Sequence, residues 1–218
     1  MIDIIPGILE EDFEEIERRI GWVSPFVSWV QIDVADNTLV PNETCLDFSK
    51  FEALIHSQSS GQAKHNLSFE AHLMVAEPEK YIRPLADAGF KRLIAHVESH
   101  DPRRFLDEAT YESVEAGIAI DGPTELEQVE PFLESVDVVL VMTIEAGFSG
   151  QALMPETIEK IKTIHENFPD LAIEVDGGIN DKTAKLVKNA GATRLVSTSY
   201  LFKDPAHIAQ AIESLKNA

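Results

Sequence analysis

The sequence is short of basic residues. Its 218 residues contain 18 Lys and Arg against 38 Asp and Glu, which gives a formal net charge of −20. Nucleic acids are bound through basic patches that neutralise phosphates, and anionic membrane surfaces attract the same patches, so we expect neither as a partner. A small phosphorylated ligand stays compatible with this charge, because backbone N–H groups and helix N-termini bind phosphate without lysine.

Cysteine and long apolar runs are also scarce. Cys45 is the single cysteine, which excludes an intramolecular disulfide and fits a reducing cytoplasm. No apolar run reaches the roughly 18 residues of a membrane span. The first residues, MIDIIPGILEEDFEE, lack the basic region of a signal peptide, so we expect none. With no linker or low-complexity stretch, we expect one domain over residues 1–218.

Strand-like and helix-like segments alternate through the whole sequence. The strand candidates are IDIIPGIL, WVQIDV, LSFEAHLM, RLIAHVE, EAGIAI, VDVVLVMTI, LAIEVDGG and TRLVSTS. The helix candidates that follow them are EEDFEEIERRIGWV, FSKFEALIHS, PEKYIRPLADAG, DPRRFLDEA, TELEQVEPFLES, PETIEKIKTIHENF, DKTAKLVKNAG and PAHIAQAIESLKNA. Eight such repeats predict a closed (β/α)₈ barrel. A doubly wound open sheet is the alternative, but the G-x-G-x-x-G turn of dinucleotide-binding folds is missing after the first strand.

Unusual polar residues occur at the ends of the predicted strands. Asp33, His72, His96 and Asp176 follow the second, third, fourth and seventh strands. Chemistry in such barrels occurs at the C-terminal ends of the strands. Two carboxylates and two imidazoles at one barrel mouth are typical of a metal or acid–base site.

Five stretches carry a resemblance to a known family. They are PGILEEDF, IDVADNTLVPN, AHLMVAEPEKYI, LVMTIEAGFSGQ and IEVDGGIN. With them the chain resembles the ribulose-phosphate 3-epimerase family over essentially its whole length. The resemblance implies a single-domain barrel of the ribulose-phosphate-binding type. It also implies an isomerase of the pentose phosphate pathway that interconverts D-ribulose 5-phosphate and D-xylulose 5-phosphate.

The resemblance assigns roles to residues at the barrel mouth. Asp33 and Asp176 match the two acid–base aspartates, one of which removes the proton beside the ketone while the other returns a proton to the opposite face. A zinc, manganese or iron ion is implied on both aspartates, His72 and Gln31. The residues implied to bind substrate, through methionines over the reacting carbon and loops around the phosphate, are Met74, Met142, Gly147, Ser149, Gly150, Gly177, Gly178, Thr198 and Ser199.

The departures from the family pattern lie at the same mouth. Gln31 replaces a histidine, and a neutral amide is a weaker zinc ligand than imidazole, which favours manganese or magnesium or a weakly bound ion. Gly7 replaces a serine and Ala35 a methionine, so we expect a roomier pocket. Glu145 adds negative charge beside the phosphate loop, and Ser149 replaces a glycine that adopts positive φ freely.

These departures leave two alternatives open. One is a catalytically attenuated relative that binds a sugar phosphate or another small anion. The other is an epimerase for a different ketose phosphate, using the space opened by Gly7 and Ala35. His96 receives no role from the resemblance and is interpreted as structural. Family members often form dimers or larger rings, so a homo-oligomer is a further expectation.

Overall fold

A computed structural model describes residues 2–59 and 67–218. Residue 1 and residues 60–66 belong to the predicted single domain but lie outside the described residues. The strands are β1 (Asp3–Ile8), β2 (Trp29–Ala35), β3 (Ser68–Met74), β4 (Arg92–His96), β5 (Glu115–Ile120), β6 (Val138–Met142), β7 (Ala172–Asp176) and β8 (Arg194–Ser197). The α-helices are α1 (Phe13–Val23), α2 (Phe48–Ser59), α3 (Glu79–Ala88), α4 (Pro102–Tyr111), α5 (Thr157–Asn167), α6 (Ala184–Ala190) and α7 (Ile208–Asn217).

The eight strands close into one parallel barrel in chain order, with β8 pairing back onto β1. The predicted (β/α)₈, or TIM, barrel is therefore confirmed. Each helix packs an apolar face on the outside of the barrel: α3, for example, buries Ile82, Leu85 and Ala88. In the described part of the chain, no helix combines the length and the apolar character needed to cross a bilayer.

The fifth connection differs from the prediction. The segment TELEQVEPFLES was expected to form an α-helix, but it forms two 3₁₀-helices, Leu126–Gln128 and Glu130–Ser135. Pro131 lies at the start of the second one. A proline has no N–H for the helical ladder and disfavours the α conformation of the preceding residue, so it interrupts a continuous α-helix here.

A buried charge network closes the N-terminal end of the barrel. Arg92 Nη1 and Arg194 Nη2 both donate to Glu70 Oε2, at 2.9 and 2.8 Å, and Arg194 Nε donates to Glu174 at 2.6 Å. Both guanidinium groups lie over the ring of Trp29, at 4.5 and 5.1 Å from its centroid. Pairing opposite charges in this way offsets part of the cost of burying them, although Glu70 Oε1, Glu174 Oε1 and Arg92 Nε have no hydrogen-bond partner among the described residues.

Strand register brings the predicted site residues to the other end. Asp33 on β2 pairs in register with His72 on β3, and Met142 on β6 pairs with Asp176 on β7. All four residues lie in the last three positions of their strands. Because the strands are parallel, these ends meet at one mouth.

Candidate functional site

Asp33 and Asp176 are joined at the mouth by one side chain. Gln31 Nε2 donates to Asp33 Oδ1 and to Asp176 Oδ2, each at 2.8 Å. His72 Nδ1 lies 3.1 Å from Asp33 Oδ1 and 3.7 Å from Asp176 Oδ2. Gln31, Asp33 and His72 are buried and Asp176 is half-buried. Three strands of the barrel, β2, β3 and β7, thus bring four of the predicted residues into one cluster.

Burial moves the pKa of both carboxyl groups toward neutrality. Burial, reinforced by repulsion from Glu174, raises the pKa of Asp33 to about 7 against the opposing hydrogen bond from Gln31. Burial and repulsion from Asp33 raise the pKa of Asp176 to about 7. Burial also lowers the pKa of His72, which favours a neutral imidazole. Groups with these pKa values exchange protons readily near neutral pH.

The cluster has the donors for a divalent cation. Asp33, His72 and Asp176 each offer one ligand atom, and these atoms lie within 4.8 Å of one another. Gln31 turns its amide nitrogen toward the two carboxyls, while its oxygen Oε1 is buried without a hydrogen-bond partner. Turning the amide over would direct this oxygen at the same point as the other three donors. The residues therefore fit a cation, with Gln31 as a fourth ligand only in the turned orientation.

A pocket lies directly above the cluster. It holds about 460 Å³ of empty space, part of it open to solvent. The predicted site residues that line it are Asp33, His72, Met74, Met142, Gly147, Ser149, Gly150, Asp176, Gly177, Gly178, Thr198 and Ser199. Gln31 lies below them, in contact with the carboxyls.

Five further residues line the pocket and were not predicted. They are Leu9, Ile144, Phe148, Ile179 and Val196. Phe148 lies inside the predicted phosphate loop and is exposed. Its position in the GFSGQ motif could have identified it from the sequence as a pocket residue. The other four are aliphatic, and nothing in the sequence distinguishes them from core residues.

The loops after β6, β7 and β8 present backbone groups to the pocket. Gly147, Gly150, Gly177 and Gly178 all have positive φ. Within residues 2–59 and 67–218, the backbone N–H groups of Gly178 and Ser199 donate to no protein acceptor. The pocket lining in these residues includes no Lys or Arg. An anion bound here would therefore be held by backbone dipoles rather than by basic side chains.

Two of the departures in the phosphate region cause no distortion. Ser149 does not adopt positive φ, so replacing a glycine at this position carries no backbone strain. Glu145 is exposed, and its carbonyl oxygen accepts a hydrogen bond from Gln151 Nε2 at 2.8 Å. Gln151 also donates to the carbonyl of Phe148 and so holds this loop together.

The extra room expected at Gly7 and Ala35 is not present. A Cβ at Gly7 would lie 2.6 Å from Thr198 Oγ1, so the space above this glycine is already filled. Ala35 is fully buried in a small cluster with Val40 and Met74. Neither Gly7 nor Ala35 lines the pocket, because these neighbours cover them.

Comparison with known sequences places the chain in a family. Residues 3–202 match the sequence profile of the family described as "Ribulose-phosphate 3 epimerase family". The ribulose-phosphate 3-epimerase of Schizosaccharomyces pombe is 35% identical over 201 residues, 91% of this chain and 86% of its own length. That of Bacillus subtilis is 34% identical over 212 residues, 93% of each chain. A rice relative, 32% identical and covering 96% of this chain and 92% of its own length, is named as a cytoplasmic isoform.

Comparison with solved structures supports the fold. The 3-keto-L-gulonate-6-phosphate decarboxylase of Vibrio cholerae superposes with a TM-score of 0.74 at 10% identity, over 99% of this chain and 96% of the other. The 3-hexulose-6-phosphate synthase of Salmonella typhimurium gives 0.73 at 14% identity, over 99% and 97%. At these identities the likeness extends to the barrel architecture alone.

Proposed function

Because the chain belongs to the ribulose-phosphate 3-epimerase family, we propose that it interconverts D-ribulose 5-phosphate and D-xylulose 5-phosphate. It is an isomerase, a ketose-phosphate 3-epimerase that acts on carbohydrates. The observation that carries the proposal is the pair of carboxyls on β2 and β7, one buried and one half-buried, joined through Gln31 at 2.8 Å on each side.

Asp33 and Asp176 are the proposed acid and base. Inversion requires a base on one face of the reacting carbon and an acid on the other, and side chains from β2 and β7 approach the pocket from different strands. With the pKa of each carboxyl raised to about 7 by burial, one can be ionised while the other holds a proton. One then takes the proton beside the ketone, and the other delivers a proton to the opposite face.

The same residues would hold a divalent cation. Asp33, His72 and Asp176 supply three ligands, and Gln31 supplies its amide oxygen after the amide turns over. When bound, the cation acts as a Lewis acid that stabilises negative charge developing on the substrate oxygens. Carboxylate and amide oxygens favour manganese over zinc in such a set, so we propose manganese ahead of zinc and iron.

The remaining pocket residues position the substrate. Met74 and Met142 are buried apolar side chains in the pocket wall, and we place them over the reacting carbon, where they exclude water. The glycine-rich loops after β6 and β7 and the turn at Thr198 and Ser199 surround the proposed phosphate site. Backbone dipoles at fixed positions orient the phosphate and therefore the carbon to be inverted.

Replacing either aspartate by asparagine tests the acid–base roles. In Asp33→Asn and Asp176→Asn the shape is kept and the proton transfer is lost, so we expect kcat/KM to fall by about 10²–10⁴-fold. Turnover is measured with ribulose 5-phosphate and with xylulose 5-phosphate, together with exchange of the carbon-bound proton in deuterated water. Asp170→Asn removes the same charge at an exposed position and should retain full turnover.

The exchange experiment also separates the alternatives. A variant that still exchanges the proton of one epimer but no longer epimerises has lost one of two bases, as the proposal requires. Unchanged turnover in both variants would refute the acid–base assignment. A wild-type protein that exchanges no proton while a phosphosugar raises its melting temperature would be a binding protein. Exchange on another ketose phosphate alone would mean a different substrate.

We also propose that the protein acts in the cytoplasm. The single cysteine and the name of the rice relative support this location. Fractionation of cells that express the tagged protein tests it, with recovery in the membrane or secreted fraction as the contrary result.

A further inference from the structure

A chain of hydrogen-bonding side chains leads from His72 away from the pocket. His72 Nε2 lies 2.8 Å from Nε2 of His96, and Nδ1 of His96 lies 2.9 Å from Oε2 of Glu98. Both imidazoles are at most 1% exposed. Neither His96 nor Glu98 lines the pocket, and their hydrogen-bonded connection to the site passes through His72.

Glu98 is an acceptor at the far end of this chain. Its second oxygen, Oε1, accepts the backbone N–H of Asp121 at 2.9 Å. Burial opposes ionisation of Glu98, but the hydrogen bonds from His96, Thr124 and the backbone of Asp121 outweigh it and lower the pKa of Glu98 to about 2. An ionised carboxylate has no proton to donate, so His96 must carry the proton of the bond between them.

The positions of the remaining protons follow from this acceptor. A neutral imidazole has one N–H and one lone pair. When His96 is neutral, donation from its Nδ1 to Glu98 leaves Nε2 as a lone pair, which must accept from Nε2–H of His72. Nδ1 of His72 is then a lone pair as well, and it faces Asp33 Oδ1 at 3.1 Å and Asp176 Oδ2 at 3.7 Å. The two carboxyl oxygens already accept from Gln31, so the lone pair of Nδ1 is satisfied only by a cation or a proton that lies between it and them.

We propose that Glu98 and His96 are positioning residues that fix the tautomer of His72, so that Nδ1 of His72 is presented to Asp33 and Asp176 as a free lone pair. The inference rests on the proposed function, because it gives the chain of contacts a role in holding the cation. It also replaces the interpretation of His96 as a purely structural residue. A histidine that only fills space would not need an ionised partner aligned behind it.

Glu98→Gln tests the proposal with a side chain of the same size. The backbone N–H of Asp121 can only donate a hydrogen bond. The amide oxygen of the new side chain therefore takes the place of Glu98 Oε1 as its acceptor. The amide NH₂ group is left facing Nδ1 of His96 and forces that nitrogen to accept. His96 then donates from Nε2, His72 accepts at Nε2, and the proton of His72 moves to Nδ1, where it blocks a cation.

The tautomers are read from ¹⁵N spectra of the histidine rings in metal-free protein. We expect Nε2–H on His72 and Nδ1–H on His96 in the wild type, and the reverse pattern in Glu98→Gln. Affinities for Mn²⁺ and Zn²⁺, measured by direct titration, should fall by roughly 10- to 100-fold. Glu127→Gln removes the same charge at an exposed position and should match the wild type in both measurements.

A second variant covers a failure of Glu98→Gln to fold. His96→Leu removes the acceptor next to His72 and leaves Glu98 in place, so His72 should populate both tautomers. An unchanged His72 tautomer with unchanged metal affinity in either folded variant would overturn the proposal. If the wild type bound no metal while the variants still reversed or mixed the tautomers, the positioning role would stand and the proposed metal site would fall.

Discussion

Gln31 separates the carboxyls of Asp33 and Asp176 with a single uncharged amide, and its own buried oxygen has no hydrogen-bond partner. An unsatisfied buried polar atom costs about 1–3 kcal/mol. The amide is held in this orientation because its two N–H donors satisfy Asp33 and Asp176, which would otherwise face each other. A cation between the two carboxylates would remove the need for these N–H donors. The amide could then turn over, and Oε1 would gain the cation as its partner. Gln31 is therefore the residue on which metal affinity depends most directly.

Gln31→His is expected to bind metal more tightly than the wild type. Imidazole is a stronger zinc ligand than an amide, and the side chain starts from the same point on β2. We expect the Kd for Zn²⁺ to fall by roughly tenfold or more, within the range that changes near a metal produce. Titration of metal-free protein measures this change.

Gln31→Ala serves as the opposite variant. It removes the ligand and the bridging donor, and its metal affinity should lie below that of the wild type. Equal Zn²⁺ affinities for wild type, Gln31→His and Gln31→Ala would show that position 31 does not contact the ion.

At the scale of elements, the pairing of β1 with β8 leaves no spare room above Gly7. A Cβ on Gly7 would lie 2.6 Å from Thr198 Oγ1 and 2.8 Å from Val196 Cγ1. Two elements far apart in sequence thus share one volume, with a small residue on β1 and a hydroxyl-bearing residue after β8. Because the interior of a packed barrel has few voids, a larger residue at one of these positions displaces the residue at the other.

Gly7→Ser is expected to destabilise the fold by overpacking. The added atoms displace Thr198 and Val196, which costs about 1–3 kcal/mol and lowers the urea midpoint of unfolding. Thr198→Ala in the same chain should recover part of the loss, and a double-mutant cycle gives the coupling.

Gly21→Ala is the matched control for this cycle. No heavy atom lies within 4 Å of the position of its Cβ, and it lies within α1, where alanine is more favourable than glycine. This variant should not lose stability. Additive effects of Gly7→Ser and Thr198→Ala would mean that the two positions do not share space.

At the scale of the whole molecule, an acidic protein binds a phosphorylated substrate. The net charge is −20, and the pocket lining in the described residues offers no Lys or Arg. Under the proposed function, binding would rely on short-range backbone dipoles, while the long-range field would repel the substrate. The combination has a kinetic consequence.

Catalytic efficiency should rise with ionic strength. Raising NaCl from about 10 to about 150 mM shortens the Debye length from about 30 to about 8 Å and screens the repulsion. We expect kcat/KM for the phosphorylated substrate to increase by roughly two- to tenfold. Initial rates at low substrate concentration measure it, with sulfate and phosphate kept out of the buffer because they would compete for the anion site.

Glu145→Gln provides the internal comparison. It removes an exposed charge beside the phosphate loop, so its kcat/KM should be higher than that of the wild type at low salt and should respond less to NaCl. A kcat/KM that falls with NaCl in both proteins would contradict a repulsive field at the mouth.

The sequence predicts much of this fold because apolar periodicity is a local property. The eight strands and seven of the eight predicted helices occur where alternation indicated them. The exception contains Pro131, whose effect on backbone hydrogen bonding prevailed over the helical pattern. At the mouth, the motif stretches predicted residues that do line one pocket, whereas Leu9, Ile144, Ile179 and Val196 have no sequence signal because aliphatic residues are equally suited to the core.

By itself, the sequence determined the order of elements, the barrel, the family and the set of polar residues at the strand ends, because each depends on residue type and spacing along the chain. The tertiary structure alone decided how those residues act on one another. Burial in a closed barrel raises the pKa of Asp33 and Asp176 to about 7, the register of β3 and β4 joins His72 to His96 and Glu98, and closure of β8 onto β1 fills the space above Gly7. Each of these results depends on which atoms meet across strands, and contacts of that kind are fixed only when the barrel closes.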